Sequence, residues 1–95
     1  MLVPPPVYLF ADITPPTDLR FPIGAHVRLR AVGEEDPRVE EVWVRVTEHL
    51  QDFVHRGVVA QGGQQFRELS PGWTVHFRPH HVQRLQERPG TALQA

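Results

Sequence analysis

The chain has no cysteine and no lysine. The first absence removes disulfide frameworks, thiol nucleophiles, zinc ribbons and iron–sulfur ligation. The second removes Schiff-base catalysis and leaves all 10 cations as Arg, permanently charged and planar in their donor geometry. Long apolar runs are also missing. The N-terminal run at 7–11 falls far short of the roughly 20 residues of a spanning helix, and no Lys or Arg precedes Arg20. Neither a signal peptide nor a membrane span is predicted, and the expected location is the cytoplasm. Charge of one sign is lacking as well: 10 Arg against 11 Asp and Glu leave −1 with histidine neutral. That excludes a strongly basic polyanion binder and an acidic tail protein. What remains suits one small folded domain, because 95 residues with 40% hydrophobic and 22% charged content hold one core and are too apolar for a disordered chain.

The 10 prolines divide the chain unevenly, with Pro4, Pro5, Pro6, Pro15, Pro16 and Pro22 all in the first 22 residues. Such a stretch cannot pair regularly through its own amides, so residues 1–19 read as a proline-rich arm, 20–87 as the domain and 88–95 as a flexible tail. Within the arm, residues 7–13 are apolar enough to lie as an edge strand or to cover a partner, which raises a homodimer formed through the arm.

From Ile23 to Ala31 the pattern alternates, with Val27, Leu29 and Ala31 on one face and His26, Arg28 and Arg30 on the other. The segment 37–56 admits two readings. Val39, Val42, Val46, Leu50 and Phe53 recur at helical spacing, but the run Val42-Trp43-Val44-Arg45-Val46-Thr47 is β-branched, aromatic and strictly alternating. Residues of that kind lose helix propensity and suit a pleated sheet, so strands are preferred. Residues 54–60 and 73–78 supply two more strands, the second after the turn Ser70-Pro71-Gly72, and Pro79-His80-His81 reads as a single helical turn before a short final strand. About five short strands with turn signals between them predict an all-β, small antiparallel barrel.

Glu41-Val42-Trp43-Val44-Arg45-Val46-Thr47, Gly57-Val58-Val59, Pro71-Gly72, Val75-His76-Phe77 and His81-Val82 together resemble a small bacterial domain family of unknown function. Its pattern is an MWV-x-V strand, a G-x-V strand, a GD-x-V-x-F hairpin and a terminal HV, and the resemblance spans about residues 20–85. It implies a compact SH3-like β-roll and a kinship with presumed toxin-immunity domains. Val42 stands where that family often has Met, and Trp73 replaces the acidic residue after the glycine.

Chemistry-bearing residues are few. The 6 histidines include His76 and His80 at H-x3-H spacing, which would align on a helix but not when His76 sits in a strand. A fold that brought His80 or His81 near His76 and a carboxylate such as Glu68 could hold a divalent metal. With no third ligand at metal-site spacing, the expectation is no metal, no cofactor and ordinary surface and turn histidines. Glu40, Glu41, Glu48 and Asp52 read as exposed turn acids and Gly62-Gly63 as a flexible turn, with no nucleophile elbow or phosphate loop. No catalytic residue is assigned and an enzyme is not expected.

The polar strand face offers more. Arg28, Arg30, Trp43, Arg45, Trp73, His76 and Arg78 combine guanidinium groups with aromatics, the residue types that dominate protein interfaces. The plain alternative is a solvated face on which Arg28, Arg30 and Arg45 pair across strands with Glu41, and two core tryptophans. The function expected is a non-catalytic module that binds a protein, of immunity or inhibitor type. Nucleic-acid binding by the same face is the alternative, disfavoured by a net charge of −1.

Overall fold

The computed structural model describes residues 8–15, 19–35 and 37–86; residues 1–7 of the arm and the tail 88–95 lie outside them. The strands are β1 (Tyr8–Phe10), β2 (His26–Gly33), β3 (Val39–His49), β4 (His55–Gln61), β5 (Thr74–Phe77) and β6 (Val82–Gln86). Every pairing is antiparallel: β1, β2, β3, β4 and β5 follow in order, and β6 returns to β2. The result is an all-β curled half-barrel, one strand richer than the pattern predicts, because Tyr8–Phe10 pairs with residues 31–33.

Alternation decides which side chains fill it. Val27, Leu29 and Ala31 of β2, Val42, Val44 and Val46 of β3, Val59, Val75, Phe77 and Val82 form the buried core, joined by Phe66 and Leu69 from the long β4–β5 connection. A helix over 37–56 would have sent these valines around a cylinder, whereas the strand puts three of them on one face. Irregular register between β3 and β4 at Trp43/Val44 and Val46/Glu48, and between β2 and β6 at Arg28/Leu29, bends the ladder, as bulges do. Gly57 lets β3 and β4 approach closely; a Cβ there would lie 2.3 Å from Val44 Cγ1.

β1 and β6 share one edge of β2. Phe10 lies opposite Ala31, and Val82 then takes over opposite Leu29. At this splice the 3-10 turn Pro79–His81 meets the chain leaving β1, where the Ile13 and Thr14 amides both donate to the His80 carbonyl at 2.8 and 3.2 Å. The turn into β5 follows its residues: Gly72 adopts φ +95° after Pro71, and the Trp73 amide donates to the Ser70 carbonyl, the geometry of a type II turn.

Two inward positions carry polar groups, correcting the expectation of exposed acids and surface histidines. Glu40 shares the parity of Val42 and is only 7% exposed. Its carboxylate accepts the amides of Gln64, Gln65 and Phe66 at 2.7, 2.9 and 3.1 Å. The turn after Gly62-Gly63 is therefore pinned rather than loose, and Gly63 at φ +89° has Ser70 Cα 2.9 Å from where a Cβ would sit. His55, fully buried, shares the parity of Gly57 and Val59.

Candidate functional site

Both nitrogens of His55 are committed. Nδ1–H donates to the Phe53 carbonyl at 3.0 Å and Nε2 accepts the Phe21 amide at 3.0 Å, while His49 Nε2–H donates to the Phe21 carbonyl at 2.6 Å. The two rings thus hold both backbone polar groups of one residue of the entering chain, Phe21. Burial chiefly, with the His49 and Arg20 charges adding to it, lowers the His55 pKa from its ordinary value. The neutral tautomer is the one this geometry needs. The connecting hairpin is held against its own strain: Asp52 and Phe53 sit at φ 59° and 61°. Arg20 lies 5.0 Å from the Phe53 ring centroid and Arg78 donates to the Asp52 carbonyl at 2.5 Å. Such backbone persists only where its surroundings over-determine it.

The histidine pair near the C-terminal end of the sheet finds a carboxylate, though a different one from Glu68. Asp12 Oδ1 lies 3.2 Å from both His80 Nε2 and His81 Nε2, and the three ligand atoms fall within 4.8 Å of one another. His76 lines the same groove as Asp12 and His81 but stands outside the trio, accepting Arg56 Nε–H on Nε2 at 3.2 Å. The arrangement is better suited to hydrogen bonding than to a metal. His81 Nδ1 accepts the Arg78 amide at 3.1 Å, so the neutral ring carries its proton on Nε2, the atom a metal would need bare. Burial first, then the neighbouring His80, lowers the His81 pKa despite Asp12. The trio ties the segment after β1 to the 3-10 turn.

The outer surface of β2 and β3 gathers four of the seven partner-binding candidates. His26 lies opposite Arg45, Arg28 opposite Trp43 and Arg30 opposite Glu41. β4 extends two of these levels with Gln61 beside Trp43 and Val58 beside Arg45, and β6 places Arg84 beside Arg28. Arg28 and Arg30 reach Glu41 at 3.7 and 3.1 Å, as the solvated-face alternative expects. Mainly through the Arg30 hydrogen bond, the Glu41 carboxyl titrates below its usual range. Arg45 breaks that pattern. It is exposed and makes no ion pair or side-chain hydrogen bond among the described residues, as does Arg84. Trp43 is half-buried, two residues from Arg45 along β3 and on the level of Arg28 and Arg84, so part of its indole is accessible.

The remaining three candidates lie apart. His76 closes an outer ladder in which Arg56 also bonds Glu48 at 2.6 Å. Arg78 is spent on the Asp52 carbonyl, and Trp73, 50% exposed, sits at the head of β5. Neither tryptophan is a full core residue. Two grooves, of about 600 Å³ beside Arg38, Gln64 and Arg67 and about 510 Å³ along β1, are wide open to solvent and enclose no chamber. No helix among the described residues is long and apolar enough to cross a membrane.

The site residues missed by sequence reasoning are Glu40, His55 and Asp12. The first two carried a signal, since alternation extended by two residues places each inward. Asp12 carried none, because its partners are distant in sequence and meet it only once β1 and β6 lie end to end. No protein-family model, curated protein or solved structure matches this chain.

Proposed function

We propose that the chain is a small SH3-like barrel serving as a non-catalytic, cytoplasmic protein-docking module, of the immunity or inhibitor type, whose Trp43/Arg45 face takes an acidic patch of a partner. The topology supports the barrel reading: a four-strand meander, β2 to β5, is closed by a strand that follows a 3-10 turn and returns to β2. One observation carries the functional reading. On a face where Arg28 and Arg30 already share Glu41, Arg45 is left uncompensated beside a half-buried indole. A free guanidinium offers a bidentate fork to a carboxylate, and a half-buried Trp supplies apolar contact.

Nucleic acid is the second reading, favoured by the level Arg84, Arg28, Trp43. Only Arg45 and Arg84 are uncommitted there, however. Two phosphate contacts give a salt exponent of roughly 1.4 for a single strand, so affinity would fall only about sevenfold from 50 to 200 mM salt. That is too little attraction for a general binder.

The test is capture by immobilised wild type, Trp43→Ala and Arg45→Glu. A protein retained by the wild type and lost by both variants supports docking, and identical retention by all three refutes it. An oligonucleotide whose affinity drops over several decades of a salt titration would move the assignment to nucleic acid.

A further inference from the structure

The outer face has a polarity along its strands that its composition conceals. Successive outward residues of β2 stand two apart, about 6.6 Å in rise, and each defines a level across the sheet. His26 with Arg45 is the first, Arg28 with Trp43 the second, Arg30 with Glu41 the third, and Val32 with Leu9 and Val39 the fourth. Beyond the fourth comes the turn, where Glu34 and Glu35 are exposed. From one end to the other the face reads basic, mixed aromatic and basic (Trp43 with Arg28 and Arg84), ion-paired, apolar, acidic. The apolar level is open to solvent, with Leu9 and Val39 each 52% exposed.

We propose that the acidic patch taken by this face belongs to a second copy of the same chain, the two outer faces packing about a two-fold axis that crosses the strands at the Arg30–Glu41 level. This rests on the docking reading and names its partner. Such an axis reverses strand direction, so the fourth level of one copy meets the second level of the other. Trp43 then covers the Val39 and Val32 of its mate, and Arg45 reaches Glu34 and Glu35. A two-fold axis along the strands would instead stack Arg45 on Arg45 and acidic turn on acidic turn, and like charges select against it. Sheets of equal twist pack face to face with their strands nearly aligned, as this arrangement requires. An isologous contact of this kind uses every group twice. Few levels on few strands take part, which places the contact at the small end of interfaces and makes it concentration-dependent.

Sedimentation equilibrium of the full chain from about 10 µM to about 1 mM covers the range of such a contact. The wild-type mass should climb toward twice that of the monomer. Arg45→Glu alone and Glu34→Arg/Glu35→Arg alone should each weaken association by about tenfold or more, because every mating pair becomes like-charged. An equimolar mixture of the two variants should associate again, since both of its mating pairs are of opposite charge. That rescue also shows both variants to be folded. A wild type that stays monomeric throughout overturns the second copy, as does a dimer indifferent to both reversals or a mixture that fails to associate. The docking reading is separable from this outcome. A monomeric wild type whose capture of another protein is still abolished by Trp43→Ala and Arg45→Glu keeps the face and loses only the second copy, whereas loss of both results removes the face as well.

Discussion

Replacing Glu40 by alanine tests whether a buried carboxylate, rather than backbone pairing, holds the long connection between β4 and β5. The carboxylate accepts three amides, of which those of Gln64 and Gln65 are part-buried and that of Phe66 is fully buried. In the variant the first two amides can turn to water, so each forfeits only the net worth of a hydrogen bond, about 0.5–1.5 kcal/mol. The third cannot, and an orphaned buried donor costs about 1–3 kcal/mol. The sum is about 2–6 kcal/mol, against a total stability of about 5–14 kcal/mol for a chain of this length. Phe66 and Leu69 enter the core from the same connection, so the damage reaches the packing itself. At about 4–8 °C per kcal/mol, the midpoint of thermal unfolding should fall by at least about 8 °C, read by circular dichroism. Glu40→Gln keeps one oxygen with two acceptor sites and should fall between the two. Hydrogen exchange at the Phe66 amide gives a local readout and should accelerate in the alanine variant. A midpoint within about 4 °C of wild type, with Phe66 still protected, would show that the connection closes without the carboxylate.

Acid should destabilise the domain in a defined window. The folded-state pKa values of His55 and His81 lie below the ordinary value near 6.5, so the unfolded chain binds more protons between the two. Their contribution is full above about pH 6.5 and is lost as pH falls through the folded values. Protonation at His55 Nε2 sets two donors face to face at Phe21, and His49 and Arg20 oppose the new charge. A thermal midpoint flat from pH 8 to about 6.5 and declining below, with a shallower decline in His55→Phe, is the expected result; an unchanged midpoint down to pH 5 would refute it. Zinc added to metal-free protein should leave the midpoint unmoved, since coordination by His81 Nε2 would cost the Arg78 amide its acceptor. A saturable rise would show that the trio accepts the metal at that cost.

Strand pattern was the most legible part of the sequence, and the reason is the period of two. Val42, Val44 and Val46 with Trp43 and Arg45 between them dictate both that β3 is a strand and which side chains it shows to water. The same rule put Arg28, Arg30, Trp43 and Arg45 together before any partner strand was known. It stops short at Glu40 and His55 because a polar residue reads as exposed, although parity places both inward. Arg78 and Trp73 failed to join the face for another reason: they lie outside β5, where a turn and a 3-10 segment break the alternation. The Asp12 contact was illegible, since no local pattern relates residue 12 to residues 80 and 81.

The shared edge of β2 has a mechanical meaning. β1 and β6 run in the same direction along it, one ending where the other begins. A pull on Tyr8 and Gln86 therefore acts along β2 instead of across it, drawing the two strands away from each other toward opposite ends of that edge. Their ladders are loaded in shear, with all rungs strained together, whereas a peeling force would part them singly. The Asp12 link to His80 and His81 lies at the seam between the two strands, where that tension would first open a gap.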